Sequence, residues 1–256
     1  MRGGPGGGLA RRMGLIAYDD TDAAAFQATR HLPGDGLAPW REAITRYVTP
    51  RPGLRILDLG CGTGSWTRAF RAWWPGVEVL PVDPSPAMRE RALVAPVLAG
   101  DDTHIPAADA SLDVVWVSTV IHHVPDLGAA AREIRRVLAP GGTVLIRSAF
   151  PGRHDGLTLC RYWPETITVL DRRYPGVAAI EAAFGTAGFA PVALEPVTQV
   201  SAPSLAVAAA ELRREAHTLL QLISDTAYRQ GLARLRAAAA TVTGPQTDTL
   251  DLLVLR

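Results

Sequence analysis

The sequence contains no lysine and no asparagine, so every basic side chain is an arginine or a histidine. A Walker-type phosphate loop and a Schiff-base mechanism both need a lysine, and both are therefore excluded. N-linked glycosylation is excluded because its acceptor is asparagine. The bias toward arginine, alanine, glycine and proline indicates a GC-rich genome rather than a special chemistry.

Cysteine, net charge and long apolar runs are scarce as well. Two cysteines, Cys61 and Cys160, are too few for a disulfide framework. A formal net charge of +1 gives no general attraction to nucleic acid or to an anionic membrane. No apolar run approaches the roughly 20 residues that span a bilayer. Residues 1–13 are glycine-rich and basic and lack the apolar core of a signal peptide, so we predict a disordered tail, Met13 as an alternative start, and a cytoplasmic protein.

The length of 256 residues suits one α/β domain with additions. We predict a helical cap over residues 14–50 and a main domain over 51–256, with lid insertions at about 150–185 and 201–245. Ser204 to about Ala240 has the apolar periodicity of an amphipathic helix, which contributes to the lid or to a dimer contact. A monomer and a homodimer both remain open.

The stretch ILDLGCGTGSW, residues 56–66, predicts a buried strand, a glycine turn and a helix that Ser65 caps. Glycines occupy every second position after the strand, at Gly60, Gly62 and Gly64. The dinucleotide fingerprint G-x-G-x-x-G would require a third glycine at Ser65, which argues against an NAD-dependent oxidoreductase. Cys61 is interpreted as a small residue that fills the loop rather than as a nucleophile.

The pattern D-x-G-x-G-x-G over Asp58 to Gly64 resembles the first motif of class I S-adenosylmethionine-dependent methyltransferases. The resemblance covers about residues 50–148, with weaker support from 187–197 and the final strand. It implies a Rossmann-like seven-stranded sheet, mostly parallel, with helices on both faces and a helical cap. The last strand is expected to insert antiparallel between the fifth and the sixth. Asp58, Gly60, Cys61 and Gly62 are then expected to border the cofactor S-adenosylmethionine.

Asp83 ends the second predicted strand, at the place where one carboxylate can accept hydrogen bonds from both ribose hydroxyls. The same side chain could also cap the following helix, Pro84 to Leu93, and the two roles are compatible. The resemblance places Pro84 and Met88 near the cofactor, Met88 against the adenine. Packing in the core is an equal alternative for Met88.

The third strand ends in Gly100-Asp101-Asp102, which is similar to a further motif of the same family. The resemblance implies that Asp101 accepts from the adenine amino group. Asp102 stands where the family has a small residue whose backbone N–H meets the ring. A solvated acidic turn is the alternative for this stretch. In the predicted cap, Tyr18 and Arg30 are implied to touch the cofactor, Arg30 through the methionine carboxylate, or else to be surface or packing residues.

Ser118 to Val124 leave the carboxyl end of the fourth strand, where ligands of open α/β sheets gather. Ser118 is expected at the cofactor. His123 is the preferred general base, ahead of His122, because a histidine pKa suits proton removal near neutral pH. Alternatively, the histidine pair only shapes the pocket. The Asp/Asn-Pro-Pro-aromatic signature of enzymes that methylate base amino groups is absent, which argues against a nucleic-acid substrate.

The sequence therefore predicts methyl transfer from S-adenosylmethionine to a small-molecule acceptor, without a metal ion, in secondary metabolism. The alternative is a non-methylating enzyme on the same fold, a cyclase or decarboxylase that uses the sulfonium electrostatically.

Overall fold

The protein is described by a computed structural model over residues 19–29, 32 and 34–256. The predicted tail 1–13 and the candidate residues Tyr18 and Arg30 lie outside the described residues, so their roles stay predictions. No helix within the described part of the chain is long and apolar enough to cross a bilayer.

Seven strands form one sheet in the order β3-β2-β1-β4-β5-β7-β6. They are β1 Arg55–Leu59, β2 Glu78–Asp83, β3 Leu98–Ala99, β4 Leu112–Ser118, β5 Leu138–Ser148, β6 Pro191–Ala202 and β7 Gln246–Leu255. Strands β1 to β5 pair in parallel, and β7 runs antiparallel between β5 and β6. The predicted fold class and the insertion of the last strand are confirmed. The carboxyl ends of β1, β2, β4 and β5 consequently meet at one edge.

Eleven α-helices lie within the described residues. They are α1 Asp20–Thr29, α2 Gly34–Thr45, α3 Ser65–Trp73, α4 Pro86–Glu90, α5 Leu127–Val137, α6 Thr158–Tyr162, α7 Glu165–Arg173, α8 Val177–Gly185, α9 Leu205–Glu211, α10 Thr218–Gln221 and α11 Asp225–Ala239.

Two predicted helix starts are wrong. Ser65 is the first residue of α3 and not its cap, because Gly64 holds the cap position with φ +84° and no side-chain hydrogen bond. The helix predicted from Pro84 begins at Pro86, since the Ser85 hydroxyl accepts from the Met88 N–H. The Asp83 carboxylate accepts from the Ser85 N–H instead. Asp83 therefore precedes the cap residue Ser85 and does not cap the helix itself.

The single helix predicted over Ser204 to Ala240 is also wrong, because that segment divides into α9, a 3₁₀ turn, α10 and α11. Two serines supply internal starts: Ser204 caps α9 and Ser224 caps α11. Between these two helices the Arg214 guanidinium donates to the carbonyls of Leu220 and Ile223. These hydrogen bonds tie the residues at the end of α10 to the preceding 3₁₀ turn.

Buried side chains fill both faces of the sheet and a separate helical layer. One face carries the aromatic cluster of Trp40, Trp66, Phe70 and Trp116, with the Trp66 and Trp116 ring centroids 4.8 Å apart. The other face holds an aliphatic core to which α8 contributes Ile180 and Phe184. The helical layer consists of α6, α7, α9, α10 and α11, and its core surrounds the fully buried Trp163.

Candidate cofactor and acceptor site

The turn between β1 and α3 requires glycine. Gly60, Gly62 and Gly64 all have positive φ, and a Cβ on Gly60 would lie 2.6 Å from a methyl of Val120. The N–H groups of Gly60 and Cys61 donate to the Val82 carbonyl at 2.8 and 3.0 Å. The glycine loop is thereby tied to the end of β2, beside Asp83.

Asp58 lies beneath this loop, with 1% of its surface exposed. Its Oδ2 accepts from the Thr67 hydroxyl at 2.7 Å, and the Thr67 backbone N–H donates to the same carboxyl group. Asp58 therefore joins β1 to the first turn of α3. Burial raises the pKa of Asp58 to about 7. The predicted contact of Asp58 with the cofactor remains a prediction.

This raised pKa predicts a pH-dependent effect of Asp58→Asn. An unfolded aspartate ionises near pH 4, whereas folded Asp58 keeps its proton up to pH about 7. The stability that Asp58 contributes is thus complete below pH 4 and is lost as the pH rises through 7, at on the order of 1.4 kcal/mol per pH unit. Asp58→Asn should gain stability relative to wild type between pH 5 and 7, with no further gain above that.

Urea denaturation of both proteins at pH 5, 6, 7 and 8 measures this difference, with the fully exposed Asp155 replaced by asparagine as the control. A gap between wild type and Asp58→Asn that stays constant over the four pH values would contradict the assignment of a protonated Asp58.

Asp83 occupies the predicted place at the carboxyl end of β2, with 6% of its surface exposed. Its Oδ2 accepts from the Gly62 N–H at 2.7 Å and its Oδ1 from the Ser85 N–H at 2.8 Å. Burial raises the pKa of Asp83, while these two hydrogen bonds oppose the shift. The carboxylate is thus held rigidly against the glycine loop, and it retains lone pairs for further donors.

The residues around Gly62 fit a flat apolar group. Met88 is 3% exposed, and its Sδ lies 3.9 Å from the position of a Cβ built on Gly62. The Phe26 ring of α1 lies 3.3 Å from the same position. Met88 therefore packs at the glycine loop, in agreement with both of its predicted roles. Pro84, next to Asp83, is exposed.

Asp101 and Asp102, which follow β3, differ in their hydrogen bonds. Asp101 is partly buried, which raises its pKa, but hydrogen bonds from the Thr103 hydroxyl and N–H outweigh this and lower the pKa overall. Asp102 is half-buried, and burial raises its pKa. Its Oδ2 is inaccessible to solvent and has no hydrogen-bond partner within the described ranges. An unsatisfied buried acceptor in this stretch fits a ligand that brings N–H groups, so the residues present suit an adenosyl group.

A cavity of about 270 Å³ opens beside the glycine loop, between the ends of β4 and β5 and the helical layer. Of the predicted residues, Gly60, Cys61 and Ser118 line it. Thr119 also lines it, with φ +55°, a conformation that is strained for a β-branched residue. Such strain is typical of functional sites, and here it follows directly after the central strand β4.

The histidine pair is arranged differently from the sequence prediction. His122 lines the cavity, and its ring stacks on Tyr174 with centroids 4.0 Å apart. His123 does not line the cavity; its Nε2 lies 3.5 Å from the Thr218 hydroxyl. Burial lowers the pKa of His123 to about 4, so the ring is neutral at pH 7 and is a weak base. Position thus favours His122 over His123 at the acceptor, and the catalytic role of His123 stays a prediction.

Several polar residues of the cavity were missed by sequence reasoning, among them Arg147 and Gln199. Arg147 is the next-to-last residue of the apolar strand β5 and pairs with Ser118, and a charged residue near that edge was a usable signal. Gln199 lies beyond the stretch 187–197 that supported the resemblance, because β6 continues to Ala202. Nothing in the local sequence indicates that Gln199 faces Arg147.

Comparison with known proteins gives one family match, the methyltransferase domain, over residues 57–146. The chain is 36% identical to demethylmenaquinone methyltransferase of Streptomyces griseus over 132 residues, 50% of this chain and 56% of that protein. It is 37% identical to malonyl-[acyl-carrier protein] O-methyltransferase of Serratia marcescens, over 43% of this chain and 44% of that protein. The matches thus span about half the length of these curated relatives.

Two solved structures share the fold. Phosphoethanolamine N-methyltransferase 2 of Haemonchus contortus, in complex with S-adenosylhomocysteine, has a TM-score of 0.58 at 22% identity, over 92% of this chain and 57% of that one. The [4+2]-cyclase SpnF has a TM-score of 0.57 at 20% identity, over 91% and 89%. Residues 57–146 therefore resemble the methyltransferase domain, and the sheet order and the glycine loop of the structure agree with this match.

Proposed function

We propose that the protein transfers the methyl group of S-adenosylmethionine to a small-molecule acceptor. The observation that carries this proposal is the cavity beside the glycine loop. Gly60 and Cys61 line it together with Ser118 and His122, so a cofactor in the loop and an acceptor in the cavity would be neighbours. The proposal extends to a cytoplasmic location and to secondary metabolism, which composition alone supports.

Different residues of the chain would hold the cofactor and orient the acceptor. Asp83 would accept from the ribose hydroxyls, Met88 and Phe26 would form an apolar wall, and Asp101 would accept from the adenine amino group. When bound, the cofactor supplies an electrophilic methyl group on a sulfonium. The helical layer lines the cavity on the side opposite β4 and β5, so it would contact an acceptor held there. Most of the rate then comes from proximity and orientation.

The test is the formation of S-adenosylhomocysteine with a panel of small phenols, carboxylic acids and amines, together with the mass of the product. We expect a product heavier by one methyl group, and equal turnover with and without EDTA, because the reaction as proposed uses no metal ion. SpnF shows that a cyclase can share this fold, so fold alone does not decide the activity. Conversion of an acceptor without release of S-adenosylhomocysteine would replace the proposal with the non-methylating alternative.

A further inference from the structure

We propose that the acceptor carries an ammonium group, which the carboxylate of Asp248 binds at the wall of the cavity that β7 supplies. This inference rests on the proposed function, since it names the chemical class of the acceptor. Gln246, Asp248 and Leu250 of β7 all line the cavity. Alternate residues of a strand lie on the same face of a sheet, so these three side chains form one wall.

The structure holds the Asp248 carboxylate in place without a counter-charge. Its Oδ1 accepts from the backbone N–H of Thr158, at the start of α6, at 2.6 Å. Among the residues that the structure describes, no arginine or histidine forms an ion pair with Asp248. A carboxylate offers about four acceptor positions, so this one hydrogen bond leaves it able to accept from a ligand. Because Asp248 is also half-buried, it attracts a cation more strongly than a fully hydrated carboxylate does.

A second acceptor lies in the same wall. Gln246 is only 7% exposed, and its Nε2 donates to the Thr158 hydroxyl at 2.7 Å and to the Thr247 carbonyl at 2.8 Å. Both amide hydrogens are therefore used, and no residue in the described part of the chain donates to the Oε1 atom. An ammonium has three N–H donors and no acceptor, so it suits a wall that offers a carboxylate and an amide oxygen.

The other charged residues of the cavity do not neutralise this wall. Arg147 pairs with Leu252, which lies four residues, or about 13 Å, further along β7 than Asp248. Glu211, the last residue of α9, adds a second carboxylate to the cavity, but it is exposed. The charge at the β7 wall is therefore negative, and Asp248 is its half-buried source.

The rest of the acceptor is apolar and carries the atom that receives the methyl group. Leu157, Leu219 and Leu250 line the same cavity. An ammonium has no lone pair, so the group that Asp248 binds is an anchor and not the nucleophile. The glycine loop follows β1, which is three strands away from β7 in the sheet. Three strand spacings amount to about 14 Å, which leaves room for an apolar body between the anchor and the cofactor.

A pair of probes of similar shape tests the charge. We would titrate 3-phenylpropylamine and 3-phenylpropanol into the full-length protein saturated with S-adenosylhomocysteine, by calorimetry or NMR at pH 7. An aliphatic amine is protonated at this pH, like a lysine with its pKa of about 10.4. We expect the amine to bind at least about tenfold more tightly than the alcohol, because a charge-assisted hydrogen bond is roughly twice as strong as a neutral one. Equal affinity for the two probes, tighter binding of the alcohol, or no binding of either one would overturn the proposal.

Three variants locate the effect. Asp248→Asn keeps an acceptor for the Thr158 N–H but removes the charge, so it should abolish the preference for the amine. Glu211→Gln removes the exposed acid of the same cavity and should keep the preference. Asp155→Asn, at a fully exposed aspartate, is the matched control and should keep it as well. A preference that survives Asp248→Asn would overturn the proposal, and so would a loss of the preference in Glu211→Gln.

The affinity for S-adenosylhomocysteine distinguishes a failure of this inference from a failure of the proposed function. If wild type and Asp248→Asn bind S-adenosylhomocysteine equally, the fold and the cofactor site are intact, and a lost or absent preference reports on the Asp248 carboxylate alone. If wild type does not bind it, the proposed function fails, and the acceptor class falls with it.

Discussion

Asp83→Ala is expected to weaken the binding of S-adenosylmethionine by at least about 100-fold. A buried carboxylate that accepts two hydroxyl hydrogen bonds contributes about 1.5–3 kcal/mol for each bond. The substitution also removes the acceptor of the Gly62 N–H, which is one of the hydrogen bonds between the glycine loop and the end of β2. Calorimetric titration of wild type and variant measures the loss directly.

The isosteric variant separates the two effects of Asp83. Asp83→Asn retains an acceptor oxygen and the size of the side chain but has no charge, so we expect an intermediate loss. Asp155→Ala, at a fully exposed site, is the control and should bind like wild type. If Asp83→Ala bound within about threefold of wild type while melting at the same temperature, the ribose role would be refuted.

Trp163→Ala is expected to open the helical layer selectively. The indole is fully buried among Leu205, Leu220 and Ile223, and its Nε1 donates to the Tyr228 carbonyl at 3.0 Å. Gly231 of α11 lies directly against the ring, where no Cβ fits. Removal of a buried tryptophan costs about 3–5 kcal/mol, and this core shares no buried residue with the two cores of the sheet. The loss should therefore act on the layer first.

Limited tryptic digestion measures this opening, because α11 carries the arginines Arg229, Arg234 and Arg236. We expect cleavage within 201–245 to accelerate more than tenfold, while the affinity for S-adenosylhomocysteine stays within about tenfold. Trp73→Ala, a half-buried tryptophan of α3, is the comparison and should not expose that segment selectively. Uniform cleavage along the whole chain would mean that the layer and the sheet unfold together.

Local patterns were sufficient to predict the sheet and the glycine loop. The central strands are continuous apolar runs. The glycines at positions 60 and 64 directly indicate a turn with positive φ, which the structure has. The segment after Ser204 was predicted badly because its helix breaks come from side chains that bond backbone groups. The Arg214 guanidinium donates to the carbonyls of Leu220 and Ile223. The spacing of apolar residues gives no information about such hydrogen bonds.

The site was predictable only where its parts are close in sequence. Asp83 could be placed because it follows β2 within one β-α-β unit. The meeting of Arg147 with Gln199 joins residues 52 positions apart and depends on the insertion of β7 between β5 and β6. The choice between His122 and His123 depends on which way a short 3₁₀ turn directs each ring, and nothing in the pair itself decides it.

The central claim is that the glycine loop and Asp83 form a site for S-adenosylmethionine. Calorimetric titration of the wild-type protein with S-adenosylmethionine, and in parallel with NAD, tests it most directly. We predict micromolar binding of S-adenosylmethionine and no measurable binding of NAD. Binding of NAD without binding of S-adenosylmethionine would contradict the account.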